Sequence, residues 1–507
     1  VRDTPSLSNP ANAPDPAGWP TPNAARWILW ALIVPAAALL RLHAISAKSL
    51  WLDEAMSAGI ARLPWPQFFR VLWNREINMT LYYLLLRLWI HAGSSEAFLR
   101  GLSLIFSVAT VPLLYGLGAR LFGRAAGLAA AFLLALSAYQ IRYAQEARAY
   151  ALVAFLATLA TFLLVRNLQR PATARWGAYS AVCALVVYAQ ILGVLLILAH
   201  GVSILWLPRD PATRAKTWKD FGRAARWFTW MILPILAIAL HIGSAPAAWV
   251  TAPTAGELSG FFQSAAGNAG IVLAILDLLL LLPAFAFLLR RAQSNSQAWP
   301  IALVLSWLFV PLMALLAVSA VRPIFLGRYV MFCTPALALA LAAVLARMRP
   351  AALSYSLLAI LSALSIQGTL RYYHQDFDIY REDWRDATAY VLDNAQPSDG
   401  IFFGAFGRIP YEYYKSRRNP QPQRPTILNW PGGPQLDDRD FIARPVAEMI
   451  GDARPAPDRV WLVLFLDHTP DGHINPTSLM LRKLYEKDRP LVQEQDFPQI
   501  TIFLFSK

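Results

Sequence analysis

The stretch RWILWALIVPAAALLRLHAI, residues 26–45, decides the reading of this chain, together with Trp51-Leu52-Asp53-Glu54-Ala55 just beyond it. An almost unbroken apolar run of this length crosses a hydrocarbon core of roughly 30 Å. Adjacent carboxylates so near the end of such a run are costly at a bilayer and require a reason. A second acidic site, Gln145-Glu146, fills the short polar break between two later apolar runs. If both breaks open on one side, two carboxylate sites converge at one membrane face. That arrangement suits chemistry on a lipid-borne substrate.

Working outward, comparable apolar runs recur near residues 100–119, 125–141, 149–165, 176–190, 191–207, 227–246, 269–289, 299–320, 329–346 and 351–370. The chain therefore reads as an α-helical polytopic membrane protein of about 11 spans, and up to 13; the stretch around Tyr188-Ala189-Gln190 is long enough for two short spans or one long tilted one. Composition agrees: 15% of the 507 residues are charged, against roughly 25% in a soluble protein. The net charge of +14 raises the question of nucleic acid. Its Lys and Arg lie mainly in short loops between apolar runs, which favours topogenic charge and anionic membrane lipids over nucleic acid, so no nucleic-acid partner is expected. Cys183 and Cys333 both fall inside apolar runs, so neither a structural disulfide nor a metal spacing is expected.

Charge also orients the bundle. Alternate short loops carry fifteen Lys and Arg, and the opposite short loops carry four: Arg142, Arg148, Arg322 and Arg328. The rich set belongs in the cytoplasm. Asp53, Glu54, Glu146 and the C-terminus then lie outside. Residues 1–25 read as a disordered cytoplasmic tail and 26–370 as the membrane domain. Within it, 46–99 is a first extracytoplasmic loop with interfacial helices, the clearest being Leu81 to Trp89, rich in Tyr and Trp. Residues 371–507 have ordinary polar content. Strand-like runs at Gly400–Ala405, Val460–Phe465 and Ile500–Phe505 alternate with helical segments near 383–395 and 476–487, with Asp383 and Asn475 as N-caps. A small α/β extracytoplasmic domain is expected there.

The candidate chemistry sits in three places. Asp53 is placed to accept the proton of an acceptor hydroxyl, and Asp53 with Glu54 is where a divalent cation would bind if the protein uses one. Glu146 lies among Arg142, Tyr143 and Gln145; a helix N-terminus explains a Glu there, but not the density of Tyr, Gln and Arg around it. Arg322 and Arg328, with Tyr329, run against the charge trend of the outer loops. A guanidinium can hold a phosphate through two parallel hydrogen bonds or stabilise one as it departs. No nucleotide-binding loop, dinucleotide fingerprint or zinc spacing occurs.

These residues together resemble the GT-C superfamily of membrane glycosyltransferases, in its protein O-mannosyltransferase and aminoarabinose-transferase branch (glycosyltransferase family 39 type). The resemblance is carried by Leu50 to Ala55, Arg142 to Tyr150, Leu81 to Trp89, Gly327-Arg328-Tyr329 and Asp383-Trp384-Arg385. It implies transfer of a sugar from a polyprenyl-phosphate donor, with inversion, to a cell-envelope glycan, lipid or protein hydroxyl on the outer face of a bacterial inner membrane. Asp53 would be the catalytic carboxylate, Glu146 would act beside it in placing substrate, and Arg328 would hold the donor phosphate. Glu54, Arg142, Tyr143, Gln145, Arg322 and Tyr329 complete the expected substrate site. Two departures stand out. Asn78-Met79-Thr80 replaces a His-Pro-Pro stretch frequent in relatives, and Ala189-Gln190-Ile191 follows Tyr188 where a Tyr-Thr-His-Tyr-like break is common. The rival readings are a flippase for polyprenyl-linked sugars, a glycan polymerase or ligase, and an assembly protein without catalysis. A flippase predicts charges deep in the spans and paired repeats, whereas the conspicuous charges here sit at span ends.

Overall fold

The computed structural model describes residues 21–207, 211–243, 250–291, 298–375, 381–404, 406–418, 425–428, 435–442, 448, 450, 457–465 and 475–507. The expected tail lies outside the described residues through position 20, and a helix opens at Pro22.

A backbone that crosses lipid must satisfy its own polar groups, so apolar runs of this length become helices. Seven helices are long and apolar enough to span: Pro22–Leu42, Glu96–Phe122, Tyr150–Gln169, Arg214–Ile242, Ala298–Val321, Gly327–Leu345 and Ala351–His374. Two bent pairs raise the count to as many as nine among the described residues. The chain is a multi-pass helical membrane protein. The expectation of about eleven spans is too high by this measure, for a physical reason. The runs at 176–190 and 191–207 form the shorter helices Trp176–Ala189 and Ile191–Ile204. At 1.5 Å per residue, fourteen residues rise only about 21 Å.

By contacts the chain divides into two compact units. The first comprises residues 1–43, 77–82 and 100–377; the second comprises 44–76, 83–99 and 378–507. Most of the loop after the first span thus shares a body with the C-terminal residues.

In the first unit, the bends have identifiable causes. Helix Arg124–Leu136 meets Ala138–Ala144 at 61°, and Ser137 caps the second by accepting from Gln140 N. The carbonyls freed at the bend are satisfied by side chains. Arg41, fully buried in the first span, donates to Leu134 O at 3.2 Å, Ala135 O at 3.0 Å and Ser107 Oγ at 2.7 Å. Thr369 donates to Leu136 O at 3.0 Å. A buried guanidinium is tolerable here because its donors meet helix-end carbonyls, where the dipole favours a cation. The other bend, 74° between Ala255–Ala266 and Ile271–Phe287, is made by Gly267-Asn268-Ala269-Gly270. Gly267 and Gly270 have φ of +136° and +84°, a region open to glycine at little cost.

The second unit is built on a five-stranded sheet of β1 (Gly400–Phe403), β2 (Thr426–Ile427), β3 (Arg459–Phe465), β4 (Leu491–Phe497) and β5 (Ile500–Ser506), in the order β2-β1-β3-β5-β4. β1 pairs parallel with β2 and β3, and β5 pairs antiparallel with β3 and β4. Alternate residues serve two buried faces. Ile401, Phe403, Trp461, Val463, Ile502 and Leu504 pack with Trp384 and Val391, while Phe402, Leu462, Leu464, Phe503 and Phe505 pack with Leu481 and Tyr485. Both anticipated helices are present, Trp384–Asn394 capped by Asp383 and Pro476–Glu486 capped by Asn475. The same unit holds helices Leu52–Arg62 and Trp65–Asn74 from the first loop. The Leu81–Trp89 segment is helical, as Thr80–Trp89.

Candidate functional site

The expected site residues divide between the two units. In the second, Trp51 begins the helix Leu52–Arg62 in an extended conformation, which puts Asp53 and Glu54 in its first turn. A helix N-terminus favours negative charge. The two neighbours nevertheless meet different surroundings. Glu54 is fully buried and paired with Arg381, Oε2 to Nη2 at 2.9 Å. Asp53 is half-buried, and its backbone carbonyl accepts from Ser57 Oγ at 2.9 Å. Of the pair, Asp53 is the less buried residue, and Glu54 is committed to the interior. Glu382 was not anticipated. Its Oε2 accepts from Leu52 N at 3.1 Å. Burial, with Asp53 as a further negative neighbour, pushes its carboxyl up to about 7.

In the first unit, Arg142 and Glu146 form an ion pair, Nε to Oε1 at 3.2 Å, with Glu146 almost wholly buried. The i,i+4 spacing brings them to one face. The Tyr143 ring packs edge-on against Tyr139 and Tyr150, each with centroids 4.9 Å apart, and the Arg142 guanidinium lies 5.3 Å from its centre. Gln145 is engaged at both ends of its amide. Nε2 donates to Arg41 O at 2.9 Å and His43 O at 2.7 Å, and Oε1 accepts from Tyr372 at 2.9 Å. It ties three segments together, with both N–H groups spent.

Arg328 and Tyr329 lie on a 3-10 segment, Gly327–Cys333, against which helix Tyr150–Gln169 packs. Both are partly buried, whereas Arg322 is exposed. Gly327 permits a close approach: a Cβ there would come within 2.5 Å of the Phe261 ring. The two sequence departures touch one another, and one of them reaches this segment. Gln190 Nε2 donates to Tyr329 O at 3.2 Å, and Asn78 Oδ1 accepts from Ile191 N at 3.1 Å. Beside it, Phe261, Leu278, Leu312 and Val330 help to enclose an apolar cavity of about 430 Å³. Asp277 stands in its wall, 5% exposed. Sequence reasoning passed over Asp277, although a lone acid in the run Ile271 to Leu282 is the signal that would have marked it. Among the described residues, no three His, Cys, Asp or Glu side chains gather as a metal site.

The helical bundle with its small terminal sheet is a fold shared with solved structures. It is similar to ArnT from Cupriavidus metallidurans in the apo state, with a TM-score of 0.59, 12% identity, and coverage of 95% of this chain and 98% of that one. The same ArnT bound to undecaprenyl phosphate gives 0.60 at the same identity and coverage. An Archaeoglobus fulgidus oligosaccharyltransferase in complex with Zn and sulfate gives 0.53, at 13% identity over 92% of this chain and 79% of that one. No protein-family model and no curated protein sequence matches the chain.

Proposed function

We propose that this protein is an inverting glycosyltransferase of a bacterial inner membrane. It moves a sugar from a polyprenyl-phosphate donor to an envelope glycan, lipid or protein hydroxyl on the extracytoplasmic face. The observation that carries the reading is the separation of the two first-turn carboxylates: Glu54 is fully buried against Arg381, and Asp53 is only half-buried. The acceptor oxygen attacks the anomeric carbon as the bond from that carbon to the phosphate oxygen breaks. Asp53 takes the acceptor proton, and the polyprenyl phosphate leaves as an anion. Arg328 stabilises the departing phosphate, and the cavity beside its segment, lined by Val330 and Phe261, receives apolar tail. Glu146, held by Arg142, acts in placing substrate. A divalent cation at Asp53 would assist the same charge separation. The undecaprenyl phosphate bound to ArnT, a protein of the same fold, supports the choice of donor class.

The test is sugar release from radiolabelled polyprenyl-phosphate monosaccharides by purified protein given envelope acceptors. Asp53→Asn is expected to lower transfer by a factor on the order of 10² or more, the scale of a lost general base. Transfer undiminished in a folded Asp53→Asn protein would remove Asp53 from the mechanism. Donor carried across liposomes without cleavage would favour the flippase.

A further inference from the structure

The segment that carries Asp53 is fastened by groups far away in sequence. Helix Leu52–Arg62 has no side-chain cap from its own N-cap residue, Trp51. The first amides of a helix lack internal partners. Here Leu52 N–H is met by Glu382, 330 positions along the chain. Glu54, on the other side of Asp53, is fully buried, and a buried carboxylate is tolerable only when paired. Arg381 supplies the pair and also reaches Ser49 O at 3.3 Å. The preceding turn is held too: Tyr414 accepts from Leu50 N at 2.7 Å, and Arg385 N donates to Ser49 Oγ at 3.1 Å. Both sequence neighbours of Asp53 are therefore anchored by two consecutive residues, Arg381 and Glu382.

We propose that Arg381 and Glu382 are positioning residues for Asp53, a latch that fixes the first turn of its helix so that the carboxylate keeps one direction. This rests on the glycosyl-transfer reading for its consequence, but not for its geometry. A group that must accept a proton in flight loses rate steeply when displaced, about a hundredfold for an error near 1 Å. An ion pair and a cap acting through the backbone on either side restrain the carboxylate without touching substrate.

The experiment uses the full chain in nanodiscs and two readouts. Hydrogen exchange of peptides covering Ser49–Ser57 reports the latch, and kcat and KM for the polyprenyl-phosphate donor report its consequence. Arg381→Met and Glu382→Leu are each expected to raise exchange in that segment. Each should also lower kcat between about tenfold and a hundredfold, with donor KM little changed. Arg381→Lys and Glu382→Gln keep a cation and an acceptor, and should restore much of both. Glu54→Gln combined with Arg381→Met should be little worse than Arg381→Met alone, since the two act as one unit. Unchanged exchange overturns the latch. Raised exchange with wild-type kcat overturns its positioning role. Raised exchange in the variants, when wild-type protein transfers nothing, overturns the transferase reading and leaves the pair a structural clamp.

Discussion

Adjacent residues need not share a role. Asp53 and Glu54 follow one another on a first turn, yet successive helix residues point about 100° apart; one is half-buried and the other is fully buried against Arg381. A second buried pair shows what such a site requires. Arg408 Nη1 lies 3.0 Å from Asp440 Oδ1, with both side chains almost wholly enclosed. Arg408→Met would leave Asp440 buried without this cation, beside the carboxylates of Asp437 and Glu412. Loss of one partner of a buried pair costs about 3–5 kcal/mol, so early unfolding of the second unit is expected in a thermal scan followed by hydrogen exchange; an unshifted transition would contradict it. The motif Trp51 to Ala55 was legible because Asp and Glu beside a span are conspicuous. Glu382 and Arg381 were not, because an acid beside a base in a polar segment looks like solvated charge until the chain folds back. Gln145 was legible as unusual, but its fastening of Arg41, His43 and Tyr372 depends on two backbone carbonyls and a tyrosine hydroxyl that sequence cannot place.

At the scale of elements, every apolar run expected to span is a helix or a bent pair of helices, because twenty apolar residues leave the backbone few alternatives. Bends were less visible, since each depends on what satisfies the freed carbonyls, as Arg41 and Thr369 do after Leu134. In the terminal sheet, β1, β3 and β5 were read from their apolar runs, whereas β4, Leu491–Phe497, was missed. Its run Gln493-Glu494-Gln495-Asp496 is largely exposed on an edge of the sheet. Helix packing in lipid relies on small residues that let backbones approach. At Gly368 a Cβ would lie 1.8 Å from Gly267 O, a backbone atom that cannot swing aside. Gly368→Ala should destabilise the first unit by about 1–3 kcal/mol, the cost of overpacking. The check is its unfolding midpoint in detergent, with Gly177→Ala, where a Cβ meets nothing within 4 Å, as the tolerant comparison.

For the molecule as a whole, charge buried in the second unit ties stability to pH. Burial raises Glu382 from 4.5 to about 7 and Asp440 from 3.8 to about 6. A carboxyl whose folded value is raised binds its proton more tightly in the native state. Its contribution is complete below about pH 4 and is lost as pH climbs through 6 and 7. The second unit should therefore melt at a lower temperature at pH 8 than at pH 5, and Glu382→Gln should flatten part of that slope. A midpoint that rises over the same interval would refute the assignment.

The 327 positions between Glu54 and Arg381 also set a timetable. A ribosome adding about 5–20 residues per second needs roughly 16–65 s to cover that distance. Throughout that interval the Glu54 carboxylate exists without its cation, and the Leu52 amide without its acceptor. The later spans are made meanwhile. A message interrupted after His374 would thus encode the membrane helices and Asp53 itself, but none of the residues that hold it. On the proposed reading such a product would be made yet inert, because the group proposed to take the proton is among the first parts synthesised and among the last to be set in place.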